Sequence, residues 1–508
     1  MMTSEMGIAL ATVVVVMMSL YLVGRNERAA SPDESYLWYG AQETLRRRVP
    51  LRDFRGYEPG RYWFVAPFER IRPGIRSTRF AATFFLAVCV AVMTATMVTQ
   101  GYSLFSCAIF AVGTACWSFL PSKRFDQGLM LLLAAACSWM LAAGEATSWF
   151  WAGLVVGLAA VFGANHALYG ALAVGFTAVL SASHGDSTMA AVIPVLAIGF
   201  VVGAAPLWFA MLTVRGLLRA FISRRVGDTT RRGSTNLGLP YPVPGAGRGH
   251  PSTQQLPGQR VRLNSLFFTV APASALVLVI WAAADWPMAL AHPIAVGSSV
   301  AGLASWHHVL SRADNAHLGT VFPVFIAAAA ALVDAHIALA GLLILTLGAG
   351  SWFVSIPMHG RVRRATHPSA FVRPSVAIAD GLWFLRSDLP VLQHAQALTE
   401  QHPHDQPWIA IPTSLWILPL CQRRSAVYDT FCVYPASGEA QSAMINEIES
   451  AHPPVAFIAT TLLDRREDLT FSRTHPQVWA YINSHFSPVD GPEPSGITVL
   501  ETRPDTPT

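Results

Sequence analysis

Two adjacent carboxylates, Asp33 and Glu34, stand ten residues after an apolar run over 7–23. A carboxylate at a membrane edge is costly unless the site is wet and used. There it can act as a general base on a hydroxyl or amine, or hold a metal or an acceptor. The other reading is a solvated helix start capped at Ser31, in Ser31-Pro32-Asp33-Glu34. The same polar stretch carries Arg52, Asp53 and Tyr57. Three further polar clusters lie between apolar runs: Ser122-Lys123-Arg124-Phe125-Asp126, Gly163-Ala164-Asn165-His166 and Ser311-Arg312-Ala313-Asp314-Asn315-Ala316-His317. Arg312 suits a phosphate or pyrophosphate, and Asp314 can hold it or a sugar hydroxyl. The alternative is an Arg–Asp pair that neutralises itself and closes a tight turn. His166 can donate to phosphate, more strongly when protonated, or cap a helix start. His307 and His308 are adjacent, so they do not share a helical face and do not suit a common metal.

These residues need elements to position them, and the composition says which kind. Apolar residues make up 53% of 508 and charged residues only 13%, where a soluble globular protein carries about 25% charged. Mean hydropathy is +0.41. This excludes a disordered chain, a nucleic-acid module and an ordinary cytosolic enzyme. After a signal anchor over 7–23, apolar runs near the length that spans about 30 Å of hydrocarbon fall at 80–98, 101–120, 127–144, 148–164, 166–182, 188–212, 264–284, 287–310, 315–333 and 335–356. About eleven transmembrane helices are expected, in an all-α polytopic domain over 1–356. A polar loop over 24–79 and a basic, Pro/Gly-rich loop over 213–262 interrupt it. From 357 the apolar stretches become short, at 408–411, 455–460 and 497–500, with helix-like stretches at 439–450 and 476–486. A small soluble α/β domain is expected over 357–508. Cys421 and Cys432 lie within it and are expected to pair as a disulfide on an oxidising side of the membrane.

The polar loop also carries a longer pattern. Asp33-Glu34 is followed by Tyr36 and Ala41, then Val49-Pro50-Leu51-Arg52-Asp53, then Tyr57-Glu58-Pro59-Gly60-Arg61-Tyr62 leading into an apolar run. This resembles the first extracytoplasmic loop of GT-C membrane glycosyltransferases, in the group of protein O-mannosyltransferases and aminoarabinose transferases. The cluster ending at Asp126 resembles the second such loop. The stretch 407–501, with Tyr428-Asp429 in a turn, resembles the soluble tail of bacterial members. One departure is clear: many relatives place a Lys or Arg where this chain has His166, and Lys123 is the only lysine here.

The resemblance implies an inverting enzyme of the inner (plasma) membrane that takes a sugar from a polyprenyl-phosphate carrier. The acceptor would be an extracytoplasmic glycan, lipid or protein; nucleic acid is not a partner, and membrane lipids are. Asp33 is the implied base, with Glu34 and Asp126 placing acceptor, donor or a divalent metal. Arg52, His166 and Arg312 are candidates for phosphate contact, with Asp53, Tyr57 and Asp314 beside them in substrate binding. No cofactor is assigned, and a divalent metal is left open. A transporter or flippase of a lipid-linked or anionic solute is the alternative, although no inverted repeat is visible. The positive-inside rule opposes an extracytoplasmic 24–79 loop, which holds twelve Arg against seven acids, but the rule weakens for long loops.

Overall fold

The computed structural model describes residues 2–27, 31–185, 188–226, 237–239, 241, 258–334, 359–489 and 496–503. The chain divides into two compact units. One is drawn from Met1–Gly24, Glu58–Arg61 and Arg79–Val362, the other from Arg25–Tyr57, Tyr62–Thr78 and Arg363–Thr508. In chain order the first helices are α1 (Met2–Gly24), α2 (Pro32–Leu45), α3 (Pro59–Ile71), α4 (Ile75–Thr99), α5 (Leu104–Trp117), α6 (Arg124–Ala143), α7 (Ala146–Phe162), α8 (Ala164–Ser183) and α9 (Met189–Thr213). They are followed by α10 (Gly258–Ala284), α11 (Trp286–Ala291), α12 (Pro293–Ser305), α13 (His307–Ser311) and α14 (Asn315–Asp334).

Among the described residues, seven helices are long and apolar enough to cross a membrane: Thr3–Gly24, Ile75–Thr99, Pro121–Ala143, Ala164–Ser183, Met189–Thr213, Phe267–Ala284 and Asn315–Asp334. The chain is a multi-pass membrane protein. Two expected spans form shorter helices, α5 and α7. The run over 287–310 is not one span but three short helices. Asp285 caps α11, with Pro287 in its first turn, and Pro293 starts α12 after His292. Proline lacks the N–H that would carry a helix through these points. The span expected over 335–356 and most of the 213–262 loop lie outside the described residues.

Small residues set the packing of the membrane unit. A Cβ on Gly153 or Gly157 of α7 would come within 2.1 or 2.2 Å of the Leu196 or Phe200 carbonyl oxygen on α9. On α9, a Cβ on Gly199 or Gly203 would meet the Phe150 or Leu154 carbonyl at 2.2 or 2.1 Å. Two Gly-x-x-x-Gly pairs thus bring the helices backbone to backbone, as membrane helices do where lipid gives no hydrophobic drive to associate. Helix α14 is apolar all round and buried throughout 317–332, which marks a helix inside the bundle.

In the second unit, β1 (Phe371–Val372) and β2 (Phe384–Leu385) form an antiparallel pair. A four-stranded sheet joins β3 (Ile409–Ile411), β4 (Val455–Ala459), β5 (Phe486–Pro488) and β6 (Ile497–Thr502) in the order β3-β4-β6-β5. The β3–β4 pair is parallel, with Ile409 opposite Ala456, and the other pairs are antiparallel. Every residue of β3 and β4 is buried, as apolar strands covered on both faces are. Helices α15 (Leu389–Gln401), α16 (Gly438–Ala451) and α17 (Pro476–His485) accompany the sheet. Met444 and Ile448 of α16 and Val478 and Ile482 of α17 share a core with Ile409, Ile411 and Ile458.

Most of the polar loop, Arg25–Tyr57 and Tyr62–Thr78, belongs to this same unit. Tyr36 Oη accepts from Thr430 Oγ1 at 3.1 Å, Tyr39 Oη accepts from the Ser425 N–H at 3.0 Å, and Arg55 forms an ion pair with Asp429. The expected Cys421–Cys432 disulfide does not form. Both are free, buried thiols, and the Cys432 thiol donates to the Asp429 carbonyl at 3.1 Å instead. Glu69, buried near the end of α3, accepts from Thr78 Oγ1 at 2.6 Å and from the Gly74 N–H at 2.9 Å. Gly74 has φ +124, so this turn needs glycine. Burial outweighs those hydrogen bonds and pushes the Glu69 carboxyl up to about 7.

Candidate active site

The residues expected to do chemistry fall in both units: Asp33, Glu34, Arg52, Asp53 and Tyr57 in the second, and Asp126, His166, Arg312 and Asp314 in the first. Helix α2 starts where the sequence says it should. Ser31 Oγ accepts from the Glu34 N–H at 3.3 Å and Pro32 occupies the first turn. The first turn of a helix favours anions through its unpaired N–H groups, and Asp33 and Glu34 both stand there. Their surroundings differ: Asp33 is half-buried and Glu34 fully buried.

Arg52 and Asp53 turn on each other. Arg52 Nε donates to Asp53 Oδ1 at 2.7 Å and Arg52 Nη2 to Oδ2 at 2.8 Å, a fork-to-fork pair. Asp53 Oδ2 also accepts from the Val49 N–H at 2.7 Å. Burial raises the Asp53 carboxyl, but Arg52 and the Val49 N–H outweigh it and hold it below the usual carboxylate range. The buried Glu43 takes Arg46 Nη1 at 2.7 Å and Arg48 Nη1 at 2.6 Å. The Tyr57 N–H donates to Tyr62 Oη at 2.8 Å. This part of the loop is closed by its own charges, and the guanidinium of Arg52 is directed at Asp53.

In the membrane unit the other four residues lie along one polar chain, buried at Asp126 and His166 and half-buried at Arg312 and Asp314. Asp126, in the first turn of α6, receives Arg61 Nη2 at 2.5 Å, and both side chains are buried. Arg61 Nε donates to the Phe162 carbonyl at 2.7 Å. His166 Nε2 stands 3.3 Å from the same Asp126 oxygen. The His166 ring lies 6.3 Å from that of His308, which lies 4.7 Å from that of His317. His317 Nδ1 bonds Asp314 Oδ1 at 2.7 Å, and Arg312 Nε donates to Asp314 Oδ2 at 2.6 Å. Burial raises the Asp314 carboxyl, but His317 and Arg312 outweigh it and keep it well below the usual range. Tyr169 Oη and His307 Nδ1 are 3.3 Å apart.

Sequence reasoning grouped His317 with Arg312 and Asp314, as found, but missed Arg61 and His308 as members of this chain. Arg61 occupies the variable place in Tyr57-Glu58-Pro59-Gly60-Arg61-Tyr62, and its partner follows 65 residues later. The signal available was an arginine running into an apolar helix. His307 and His308 do part company, as adjacent helical positions must: one meets Tyr169, the other faces His166 and His317. Among the described residues no group of three or more His, Cys, Asp or Glu could hold a metal ion. The Asp126 oxygen nearest His166 already carries a guanidinium, which disfavours a divalent cation there.

No family model matches the sequence, and no characterised protein is similar to it by sequence. Solved structures are similar in fold. ArnT from Cupriavidus metallidurans bound to undecaprenyl phosphate aligns over 99% of this chain and 99% of its own, with TM-score 0.56 and 12% identity. The chain has the ArnT fold. ArnT from the same organism in the apo state aligns over 97% of both chains, with TM-score 0.56 and 10% identity. The ArnT fold is the GT-C architecture expected from the Asp33–Tyr62 pattern, and at this identity the likeness concerns the path of the chain.

Proposed function

We infer that the protein is an integral membrane glycosyltransferase that moves a sugar from a polyprenyl-phosphate carrier to an extracytoplasmic acceptor. The observation that carries this reading is the alignment of the whole chain, end to end, with an ArnT solved with undecaprenyl phosphate. The resemblance of the Asp33–Tyr62 pattern to the family's first loop supports it; the Ser31-capped helix start agrees equally with the alternative reading of Asp33-Glu34.

Asp33, half-buried and in water's reach, takes the proton of the acceptor hydroxyl or amine as that group attacks the anomeric carbon. The carrier phosphate leaves with the bonding pair, so the configuration at that carbon inverts. Glu34, fully buried in the same helical turn, positions the acceptor. Asp126, held by Arg61 and beside His166, positions the donor. His166 and Arg312 are the phosphate contacts in the membrane unit, with Asp314 fixing Arg312. Arg52, Asp53 and Tyr57 shape the loop that carries the base. The enzyme is placed in the plasma (inner) membrane with its chemistry on the extracytoplasmic side.

The test is Asp33→Asn in the purified protein, assayed with a polyprenyl-phosphate-sugar and envelope acceptors. The amide keeps shape and removes basicity, so transfer should fall about a hundredfold or more while folding and insertion stay intact. Near-normal transfer by the variant would remove Asp33 from the role of base. Movement of a lipid-linked solute that survives Asp33→Asn, without sugar transfer, would point to a transporter instead.

A further inference from the structure

A shallow, open cleft of about 540 Å³ lies in the second unit between the polar loop and α16. The loop contributes Arg48 and Asp53. Helix α16 contributes Ala443, Asn446, Glu447 and Ala451, whose spacing puts them on one helical face. The alanines leave room for a ligand, and Ala443 and Asn446 are exposed.

The charges define what fits. Two carboxylates and one guanidinium line the cleft, so an anion would meet more repulsion than attraction. A cation is not called for either. Asp53 is matched by Arg52, and Glu447 Oε2 already accepts the Tyr428 N–H at 2.8 Å. A hydroxyl group suits such a lining: it can donate to a carboxylate or amide oxygen and accept from an amide or guanidinium N–H. Several hydroxyls at sugar spacing would engage Asp53, Asn446 and Glu447 together.

We propose that this cleft binds a neutral glycan segment of the acceptor. That it is the acceptor's glycan rests on the glycosyltransferase reading; that the cleft binds sugar does not. Saturation-transfer NMR on the full-length protein in detergent, with maltotriose, mannotriose, xylotriose and arabinotriose, tests the binding. At least one trisaccharide should bind. Ala443→Trp, which fills the cleft from an exposed position, and Asn446→Ala should each weaken it by about tenfold, the scale of one lost polar contact. Both variants should unfold thermally as the parent does. No binding of any of the four to the parent, or undiminished binding by both variants, would overturn the proposal.

Kinetics test the assignment to the acceptor. KM for an acceptor carrying the bound sugar should rise in Ala443→Trp, with kcat and the donor KM unchanged. A rise confined to the donor KM would overturn it. A parent protein that binds a trisaccharide yet transfers no sugar would overturn the glycosyltransferase reading and leave the cleft in place.

Discussion

Single residues in this protein are held by partners far away in the chain, and the consequences are measurable. Arg61 and Asp126 are both buried. Removing one side of a buried ion pair leaves the other charged and unpaired, at a cost of about 3–5 kcal/mol. Arg61→Ala should therefore lower stability in detergent by that order, and Arg61→Ala with Asp126→Asn should recover part of it; equal melting of Arg61→Ala and parent would refute the pairing. Glu69 gives a pH signature. Its folded carboxyl is raised to about 7 from an ordinary 4.5, so between those values the folded state binds more protons than the unfolded one. Stability is then fully present below about pH 4.5 and falls as pH rises through 7, by about 3 kcal/mol. In Glu69→Gln the decline between pH 5 and 7 should flatten in thermal melts, and an unchanged slope would exclude Glu69 as its source. The Ser31 cap and the Arg312–Asp314 pair were legible in the sequence, because their partners lie within three residues. Arg61–Asp126 was not, because nothing local joins two charges 65 residues apart.

At the scale of elements, hydropathy predicted the long spans well: α1, α4, α6, α8, α9 and α14 stand where apolar runs of about 20 residues demand them. It failed over 287–310, where apolar composition continues through two prolines that end and restart the helix. The lesson is local: hydropathy reads solvent, while Pro287 and Pro293 act on the backbone hydrogen bonds. It also gave no notice of two helices, α2 and α3, inside the 24–79 loop. The α7–α9 pair rests on four glycines. Gly157→Leu would drive a side chain into the Phe200 carbonyl, so the folded, detergent-stable fraction should fall sharply, whereas leucine at Gly175, where nothing stands within 4 Å, should be tolerated. Size-exclusion yield of the two variants decides it, and equal yields would count against backbone-to-backbone packing.

For the whole molecule, the sequence pattern and the positive-inside rule disagree on which side the polar loop faces, and the glycosyltransferase reading needs it outside. Cysteines placed at Arg72 and Ser437, both exposed and both in the second unit, should react with a membrane-impermeant maleimide on intact cells. Labelling of either only after permeabilisation would reverse the topology and remove the proposed chemistry. The second unit also sets a timetable. Its early part ends at Thr78 and its remainder begins at Arg363, but Tyr36, Tyr39 and Arg55 meet Thr430, Ser425 and Asp429, so the ribosome must add about 350 residues after Thr78 before they can pair. At roughly 5–20 residues per second, the newly made loop waits on the order of 20–70 s for the segment that completes its fold. During that interval its aromatic side chains are open to chaperones and proteases, and a nascent chain stalled before residue 363 should be a preferred substrate for both.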